Sequence, residues 1–340
     1  MKLLLFTQAL DLDDPILSAY HRLVAEIARN FDEVTAICLK EGRHELPSNV
    51  RVLSLGKERG VSKLVYVWRF YRYIFSAKYD SVFVHMNQEY VLLGGKFWKL
   101  MGKKIYMWRN HHEGSVLTDL AAAFCTKVFC TSKFSYTAKY KKTVLMPVGI
   151  DTEYFKKVPS AARSPRSILF LARMAPVKKP HVLLDALERL SSRGTGYRAS
   201  LIGDPLEKDR EYYESLKKRS SGSNLSVEWK KGISNTETPR AYSEHEIFVN
   251  LSSSGMYDKT IFEAMACESI VLATNRNLEG LIDPVFIGKE DYADDIANKL
   301  AKLLDLPTDR KIDEGRKLRL VSETHHSLEA LGQKLAKEIS

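Results

Sequence analysis

The chain has 340 residues, of which 44% are apolar and 28% are charged, and its formal net charge is +10. This composition is typical of a globular protein and excludes a disordered chain, and the length favours two domains. No apolar run approaches the roughly 18 residues that cross a bilayer, and the opening MKLLLF suits a first strand better than a signal peptide. The four cysteines lack metal-ligand or redox spacing, so we expect reduced thiols in a cytoplasmic protein.

The positive charge is concentrated in the N-terminal half. Residues 1–157 hold 24 Lys and Arg against 15 Asp and Glu, whereas the remainder holds 28 against 27. A basic half fits an anionic membrane surface, a phosphorylated substrate or nucleic acid, and an ordinary solvated surface is the alternative. No nucleic-acid recognition motif accompanies the charge, so we expect no nucleic-acid partner.

In chain order, β-rich apolar runs alternate with amphipathic stretches of helical length. The first half predicts strands at residues 2–6, 34–39, 50–55, 81–85, 104–108, 127–131 and 143–146, and helices at 15–30, 63–76, 91–101 and 116–124. Such alternation is typical of a parallel sheet with helices on both faces. The α/β fold class follows from this pattern.

The pattern breaks at residues 154–166, which hold two prolines and several charges and predict an interdomain linker. A second alternation then predicts strands at 167–171, 198–202, 225–229, 247–251 and 270–274, and helices at 179–192, 209–220, 238–243, 260–267 and 292–304. Residues 313–339 predict one or two further helices. We therefore expect an N-terminal domain at 1–157, a C-terminal domain at 158–320 and a terminal helical segment at 321–340.

Residues 248–275 (FVNLSSSGMYDKTIFEAMACESIVLATN) place a small polar loop between a strand and a helix. The free N–H groups at such a helix start can bind an anion, and Gly255 would allow close approach of the chain to a ligand. Glu263 lies one turn inside the helix, where its carboxylate could accept hydrogen bonds from hydroxyl groups. The alternative interpretation is a helix capped by Asp258 with an ordinary Glu.

Residues 168–187 (ILFLARMAPVKKPHVLLDAL) place two cations between a strand and a helix. Arg173 directly follows the strand, and Lys178 comes five residues later. A guanidinium and an ammonium at this position suit a diphosphate. A surface Arg and Lys in a polar loop remain the alternative.

Together the two stretches resemble the retaining glycosyltransferases of family 4. In that family the corresponding segments read G-R-x-x-x-x-K-G and E-G-F-G…E-A-M-A-x-G-x-P-V. Here Arg173 and Lys178 match the two cations, and residues 262–267 (FEAMAC) match the helix. Residues 146–151 (MPVGID), 202–204 (IGD) and Gly232 also match, so the resemblance runs from about residue 146 to 275.

Several positions depart from the family pattern. The paired-Glu motif of the family consists of two Glu residues separated by seven others. Glu263 matches the second Glu, but Gly255 occupies the position of the first, which is therefore missing. Some members show the G-x-x-D-K-x-x-x-E form that is present here, so we interpret the chain as a variant enzyme. Lys179 and Glu268 stand where the family often has Gly.

The resemblance implies a GT-B fold, in which two Rossmann-like doubly wound domains face each other across a cleft and a C-terminal helix crosses back to the N-terminal domain. It also implies a retaining hexosyl transfer from a nucleoside-diphosphate sugar to a glycan, a lipid-linked saccharide or another acceptor. Arg173 and Lys178 would bind the diphosphate, and Glu263 would hold the ribose. Further donor contacts are implied for Gly232, Ile233, Gly255, Met256, Tyr257, Asp258, Lys259 and Thr260. No metal or other cofactor is expected.

The N-terminal domain is implied to hold the acceptor. Family members often carry a His near the reacting sugar after the strand that ends here at Trp108, so His111 is the candidate catalytic residue and His112 the second choice. Loop histidines without a catalytic role are the alternative. Asp11 follows the first strand on this acceptor side, and Asp11-Leu12-Asp13 has the spacing of a metal-binding pair but lies away from the expected phosphates.

Residues 63–76 (KLVYVWRFYRYIFS) interleave aromatic and basic side chains. On a helix Val67, Phe70, Tyr71 and Ile74 form one stripe, and Trp68 and Phe75 form another. The pattern suits a helix in a bilayer interface or, as we prefer, a helix buried in the domain core with a basic rim. Peripheral contact with the inner face of an anionic membrane, in polysaccharide biosynthesis, is a further expectation.

Two other functions fit the same fold, namely a nucleotide-sugar epimerase and a non-catalytic nucleotide-sugar-binding protein. The missing Glu at position 255 keeps the second one open.

Overall fold

The structure is a computed structural model that describes residues 1–14, 17–223 and 225–339. Within these residues the chain divides into two compact units. The first consists of Met1–Gly149 and the C-terminal helix from Leu328, and the second is Ile150–Ser327. The sequence had placed these boundaries after residues 157 and 320.

The first unit contains a seven-stranded parallel sheet with the strand order β3-β2-β1-β4-β5-β6-β7. One of its interior strands, Lys2–Leu10 (KLLLFTQAL), is buried on both faces, as expected for a strand covered by helices on both sides. The strands β1 to β7 are Lys2–Leu10, Glu33–Glu41, Val50–Ser54, Ser81–His85, Lys104–Trp108, Lys127–Cys130 and Thr143–Leu145.

Helices cover both faces of this sheet. The helices α1 to α4 are Ser18–Ala28, Lys63–Ser76, Gln88–Leu100 and Val116–Phe124. Side chains of α2, α3 and α4 pack in one core cluster with Phe6 and Val84, whereas α1 and the C-terminal helix α11 (Leu328–Ile339) pack in the other with Leu5 and Phe83. Of the predicted helix 15–30, residues 15 and 16 lie outside the described residues.

The second unit contains a five-stranded parallel sheet with the order β10-β9-β8-β11-β12. Its strands β8 to β12 are Ser164–Leu171, Arg198–Ile202, Val227–Lys230, His245–Asn250 and Ile270–Ala273. Its helices α5 to α10 are Pro180–Ser192, Arg210–Ser221, Thr238–Glu244, Lys259–Ala266, Ala293–Leu304 and Thr308–His326. The predicted terminal helical segment is therefore two helices, α10 in the second unit and α11 in the first.

The predicted linker at residues 154–166 lies inside the second unit. The last three of these residues begin β8, and the guanidinium of Arg163 donates hydrogen bonds to the carbonyl oxygens of Ser243 (3.2 Å) and Glu268 (3.0 Å). These bonds satisfy carbonyls at the ends of two other elements, so the segment is packed structure although its composition is that of a linker.

Candidate functional site

The carboxyl edge of the second sheet brings the predicted donor-site segments together. β8 and β11 are neighbours, and the strand order reverses between them. Ligands bind open α/β sheets at this kind of switch point, outside the carboxyl ends of the strands. Arg173 and Lys178 follow β8, and the loop before α8 follows β11.

Lys178 is held at this edge by groups that follow β11. Its ammonium Nζ lies 2.5 Å from Oδ2 of Asp258 and 3.2 Å from Oγ of Ser252. The Ser252 hydroxyl also donates to the same Asp258 oxygen, at 3.2 Å. The two segments that the sequence singled out separately are thus joined by direct contacts.

Asp258 also caps helix α8. Its Oδ1 accepts hydrogen bonds from the backbone N–H of Thr260 (3.3 Å) and from the Thr260 hydroxyl (2.9 Å). Burial raises the pKa of the Asp258 carboxyl, but the charge and the hydrogen bond of Lys178, together with hydrogen bonds from Asn250 and Thr260, bring the pKa below its ordinary value. The carboxylate is therefore ionised, and it fixes both the helix start and the cation.

The loop before α8 is anchored by hydrogen bonds to Asn275 and Asn277 and leaves backbone N–H groups available. The Tyr257 hydroxyl donates to the carbonyl oxygen of Asn277 (2.7 Å), and Asn275 donates to the carbonyl oxygen of Met256 (2.6 Å). Within the described residues no acceptor binds the N–H groups of Gly255 and Met256. This arrangement can offer N–H donors to a ligand without rearrangement of the loop.

Lys179, which stands where the resembled family often has Gly, has a left-handed backbone with a φ of 58°. Its ammonium lies 2.9 Å from Asp291 Oδ2 and 3.6 Å from Glu290 Oε2, and Glu290 accepts hydrogen bonds from the backbone N–H and the hydroxyl of Ser254. Through Glu290, the Lys179 side chain thus connects the segment that follows β8 to the loop that follows β11. Gly, which has no side chain, could not make this connection.

Glu263 lies in the second turn of α8 and is half-buried. Its Oε2 accepts a hydrogen bond from the hydroxyl of Tyr242 at 3.3 Å. Burial and the neighbouring Glu263 carboxylate raise the pKa of Tyr242 well above its ordinary value, so the phenol remains a donor. This bond orients the carboxylate and leaves it further acceptor capacity.

Arg173 is exposed, and no hydrogen bond or ion pair of its side chain occurs within the described part of the chain. The backbone beside it is fixed: Met174 donates to the carbonyl oxygen of Asp204, and Gly203 lies so close to Ala172 that a Cβ would meet the Ala172 oxygen at 1.9 Å. Gly232 donates its N–H to Asp204 Oδ2 at 3.0 Å, which places residues 232 and 233 at the same edge.

In the first unit His111 and His112 follow β5 and stack on each other with ring centroids 4.7 Å apart. The Nδ1 atom of His111 accepts from the backbone N–H of Glu113 at 3.0 Å, and this bond fixes the ring at the start of the loop. His111 is half-buried, whereas His112 is exposed and lies 3.5 Å from the Glu113 carboxylate. Of the two, His111 has the more defined orientation.

Asp11 belongs to a network at the end of β1. Its carboxylate lies 3.3 Å from Lys40 Nζ and accepts the N–H of Asp13 at 3.1 Å, and Asp14 lies 3.2 Å from the same ammonium. Lys40 of β2 is thus the direct partner of Asp11, and these contacts link Asp11 to the neighbouring strand.

The sequence analysis missed three buried polar side chains on segments at the switch point of the first sheet, where β1 and β4 are neighbours. Three side-chain oxygens there are buried and have no hydrogen-bond partner among the described residues, namely Oγ1 of Thr7, Oδ1 of Asn87 and Oε1 of Gln88. Met86, immediately before them, has a left-handed backbone with a φ of 70°. The sequence feature at this position is the pair Asn87-Gln88, separated by one residue from the predicted strand 81–85, and it does not by itself reveal the burial of its side chains.

Across the described residues no group of three or more potential ligands is arranged for a metal ion. In the same part of the chain, no helix combines the length and hydropathy of a membrane span.

Comparisons with known proteins place these features in context. Residues 165–306 match the sequence model of the family described as glycosyl transferases group 1. No curated protein matches the chain significantly in sequence.

Solved structures match over nearly the whole length. HepE of Anabaena, in complex with UDP and glucose, has a TM-score of 0.75 at 18% identity and covers 99% of this chain and 98% of its own. Sucrose-phosphate synthase of Thermosynechococcus elongatus has a TM-score of 0.78 at 16% identity, with 99% and 98% covered. A glycosyltransferase of Rickettsia africae has a TM-score of 0.72 at 16% identity, with the same coverage. The predicted fold is confirmed: the chain has the GT-B fold, and its second unit contains a region similar to the group 1 glycosyl transferases.

Proposed function

We propose that this protein is a glycosyltransferase that moves a hexose from a nucleoside-diphosphate sugar to an acceptor with retention of anomeric configuration. The observation that carries the proposal is the convergence of Arg173, Lys178 and the start of α8 at the switch point of the second sheet. This edge lies within the region that matches the group 1 glycosyl transferases. Since HepE was solved with UDP and glucose, UDP-glucose is the first donor to test.

The proposed chemistry is electrostatic stabilisation of the departing diphosphate. As the bond to the anomeric carbon breaks, negative charge grows on the diphosphate and the sugar gains oxocarbenium character. Arg173 and Lys178 would neutralise that charge, and the N–H groups at the start of α8 would bind phosphate oxygens. Because these cations belong to the protein, we propose that transfer requires no metal ion or other cofactor.

The remaining donor contacts follow from the position of each group along this edge. Glu263, oriented by Tyr242, would accept hydrogen bonds from the ribose hydroxyls. Gly232 and Ile233 would border the base. The N–H groups of Gly255 and Met256 would contact the sugar in place of the carboxylate that the related motif has there, so retention would not depend on that missing carboxylate.

We propose that the first unit binds the acceptor. His111 would lie near the reacting sugar, with His112 and Asp11 as further acceptor-side candidates. The buried oxygens of Thr7, Asn87 and Gln88 require hydrogen-bond donors, and the hydroxyl groups of a saccharide are suitable donors. A glycan or a lipid-linked saccharide in polysaccharide assembly is the acceptor class that we favour.

A donor screen followed by a transfer assay tests the function. We expect one of the UDP, GDP or ADP sugars to raise the melting temperature, because a ligand that binds only the folded state stabilises it. With that donor, a saccharide acceptor should yield a glycoside whose anomeric configuration, read by NMR, matches the donor. Release of an epimerised sugar without acceptor would identify an epimerase, and binding without turnover across the acceptors would identify a nucleotide-sugar-binding protein.

A further inference from the structure

In the first unit, helix α2 exposes several large apolar side chains. Leu64 is 82% exposed, Trp68 58% and Phe75 57%. Their spacing of four and seven residues places them on one side of the helix, whereas Phe70 and Ile74 lie on another side and are buried in the core. The sequence favoured a helix buried in the domain core with a basic rim. In the structure only Phe70 and Ile74 are buried, whereas Val67 of the same predicted stripe is exposed, as are Trp68 and Phe75 of the other.

The exposed stripe continues onto helix α3. The Phe75 ring meets Phe97 of α3 edge-on, with centroids 5.6 Å apart. Leu100, three residues after Phe97, is 76% exposed. We call this surface of α2 and α3 the aromatic face and define it by Leu64, Trp68, Phe75 and Leu100. An exposed apolar patch of this kind often marks a site of interaction with another protein or a membrane.

The charges around the aromatic face have one dominant sign. Residues 63–104 hold eight Lys and Arg but two Asp and Glu. Lys63, Arg72 and Lys96 are exposed, and no carboxylate pairs with any of them in the part of the chain that the structure describes. The Arg72 guanidinium lies over the Trp68 ring, 5.3 Å from its centroid, so cation and indole occupy the same patch. The surface therefore combines uncompensated positive charge with aliphatic and aromatic side chains.

From this combination we propose that the aromatic face is a docking surface for an anionic lipid bilayer, with Trp68 and Phe75 inserted at the level of the headgroups. An amphipathic helix that joins aromatic and basic side chains binds this interface by burying its apolar stripe while Lys and Arg contact anionic headgroups. Charge complementarity favours this occupant over a second copy of the chain, whose face would carry the same positive charge. The proposal does not depend on sugar transfer, and its failure would leave the proposed function untouched.

Co-sedimentation of the full chain with vesicles tests the proposal. We expect binding to phosphatidylcholine mixed with phosphatidylglycerol, weaker binding to phosphatidylcholine alone, and a loss of the difference at high salt, where exposed charges are screened. The double variant Trp68→Ser with Phe75→Ser should reduce partitioning into anionic vesicles by about tenfold or more. The pair Arg72→Glu with Lys96→Glu should have an effect of similar size.

A matched control exists in the second unit. Leu320 of α10 is 61% exposed, so Leu320→Ser removes a comparable exposed apolar side chain elsewhere and should leave partitioning unchanged. All of these side chains are exposed, and an unchanged melting temperature will show that each variant folds. Failure of the unmodified protein to bind anionic vesicles at low salt would overturn the proposal, as would normal binding by the Trp68→Ser, Phe75→Ser variant.

Quenching of Trp fluorescence by brominated lipid gives an independent measurement. Trp98 and Trp108 are buried and Trp229 is half-buried, so Trp68 is the indole placed to meet the bilayer. We expect quenching in the unmodified protein and its loss in Trp68→Phe, which keeps an aromatic ring and should still sediment with vesicles. If sedimentation velocity instead shows self-association through this face, without vesicle binding, the occupant is a second copy and the proposal is wrong.

Discussion

At the scale of single residues, the contact between Lys178 and Asp258 organises the proposed donor site. The carboxylate is ionised because the neighbouring ammonium and the hydrogen bonds from Asn250 and Thr260 together outweigh the effect of burial on its pKa, and it holds Lys178 against the start of α8. A diphosphate that binds here would meet a cation that is already positioned, and little side-chain entropy would be lost on binding. Arg173, which is exposed, would have to be ordered by the ligand.

Replacement of the two cations should weaken binding of the free nucleoside diphosphate. A charge-assisted hydrogen bond contributes about 1.5–3 kcal/mol, and we expect Lys178→Ala at the upper end and the more exposed Arg173→Ala at the lower end. Titration calorimetry measures the affinities. Arg240→Ala is the control, because Arg240 pairs with Glu244 within helix α7. Unchanged affinity in both variants, with folding intact, would remove the phosphate assignment.

The two carboxylates of α8 should differ in importance. Asn is as good a helix cap as Asp, and although its NH2 group replaces the oxygen that contacts Lys178, the ammonium remains available to a diphosphate, so Asp258→Asn should retain part of the activity. Replacement of Glu263 by Gln removes the negatively charged carboxylate that would accept hydrogen bonds from the ribose hydroxyls. We therefore expect Glu263→Gln to lose more of kcat/KM than Asp258→Asn, at equal melting temperature. The reverse order would move the essential contact from Glu263 to the helix start.

At the scale of elements, hydrophobic periodicity predicted most of the fold. Strands β4, β5 and β9 and helices α2 and α4 have the predicted bounds; β5 ends directly before Arg109, and β9 ends directly before Gly203. Periodicity could not tell which stripe of α2 is covered, since burial depends on neighbouring helices. Periodicity also could not identify Asn87 and Gln88 as candidate site residues. A polar pair shortly after a strand is common, and the burial of its side-chain oxygens is seen only in the folded structure.

At position 268, just after helix α8, we expect Gly to make the protein more stable than the Glu that is present. Glu268, between α8 and β12, has a φ of 58°, and its carboxylate makes a 3.5 Å contact with Lys157 near the surface. A left-handed backbone costs a non-Gly residue about 1 kcal/mol or more, whereas such an ion pair contributes less. Glu268→Gly should therefore raise the free energy of unfolding by up to about 1 kcal/mol.

Urea unfolding measures this change in stability. Glu214→Gly, in the exposed middle of α6, is the matched control and should lower the free energy of unfolding by about 1 kcal/mol, because Gly is a poor helix former. Destabilisation of similar size in both variants would mean that the Glu268 side chain contributes more than its backbone conformation costs.

At the scale of the whole molecule, the chain leaves the first unit at Gly149 and re-enters it at Leu328. Helix α11 then supplies Leu331, Leu335 and Ile339 to the core cluster on one face of the first sheet. The Tyr106 hydroxyl donates to the carbonyl oxygen of Ile339 at 3.0 Å, which ties the end of the helix to β5. The first unit thus depends on residues that follow the entire second unit.

Truncation of a buried α11 side chain should destabilise the first unit. We expect Leu335→Ala to lower its free energy of unfolding by about 2–5 kcal/mol, through lost burial and a cavity. Leu320→Ala, at an exposed position of α10, should change it by less than about 0.5 kcal/mol. Tryptophan fluorescence in a Trp229→Phe background confines the signal to the first unit. Equal effects of the two substitutions would show that α11 is not part of its core.

The return of α11 also bears on the order in which the protein can fold during synthesis. A ribosome releases Met1–Gly149 first, but the nascent segment lacks the core side chains Leu331, Leu335 and Ile339 until translation has passed Ile339. The second unit is contiguous in sequence and can close as soon as Ser327 has left the exit tunnel. The nascent first unit would therefore lack these three side chains for most of its translation, and the part of the core cluster that they cover would be exposed to chaperones.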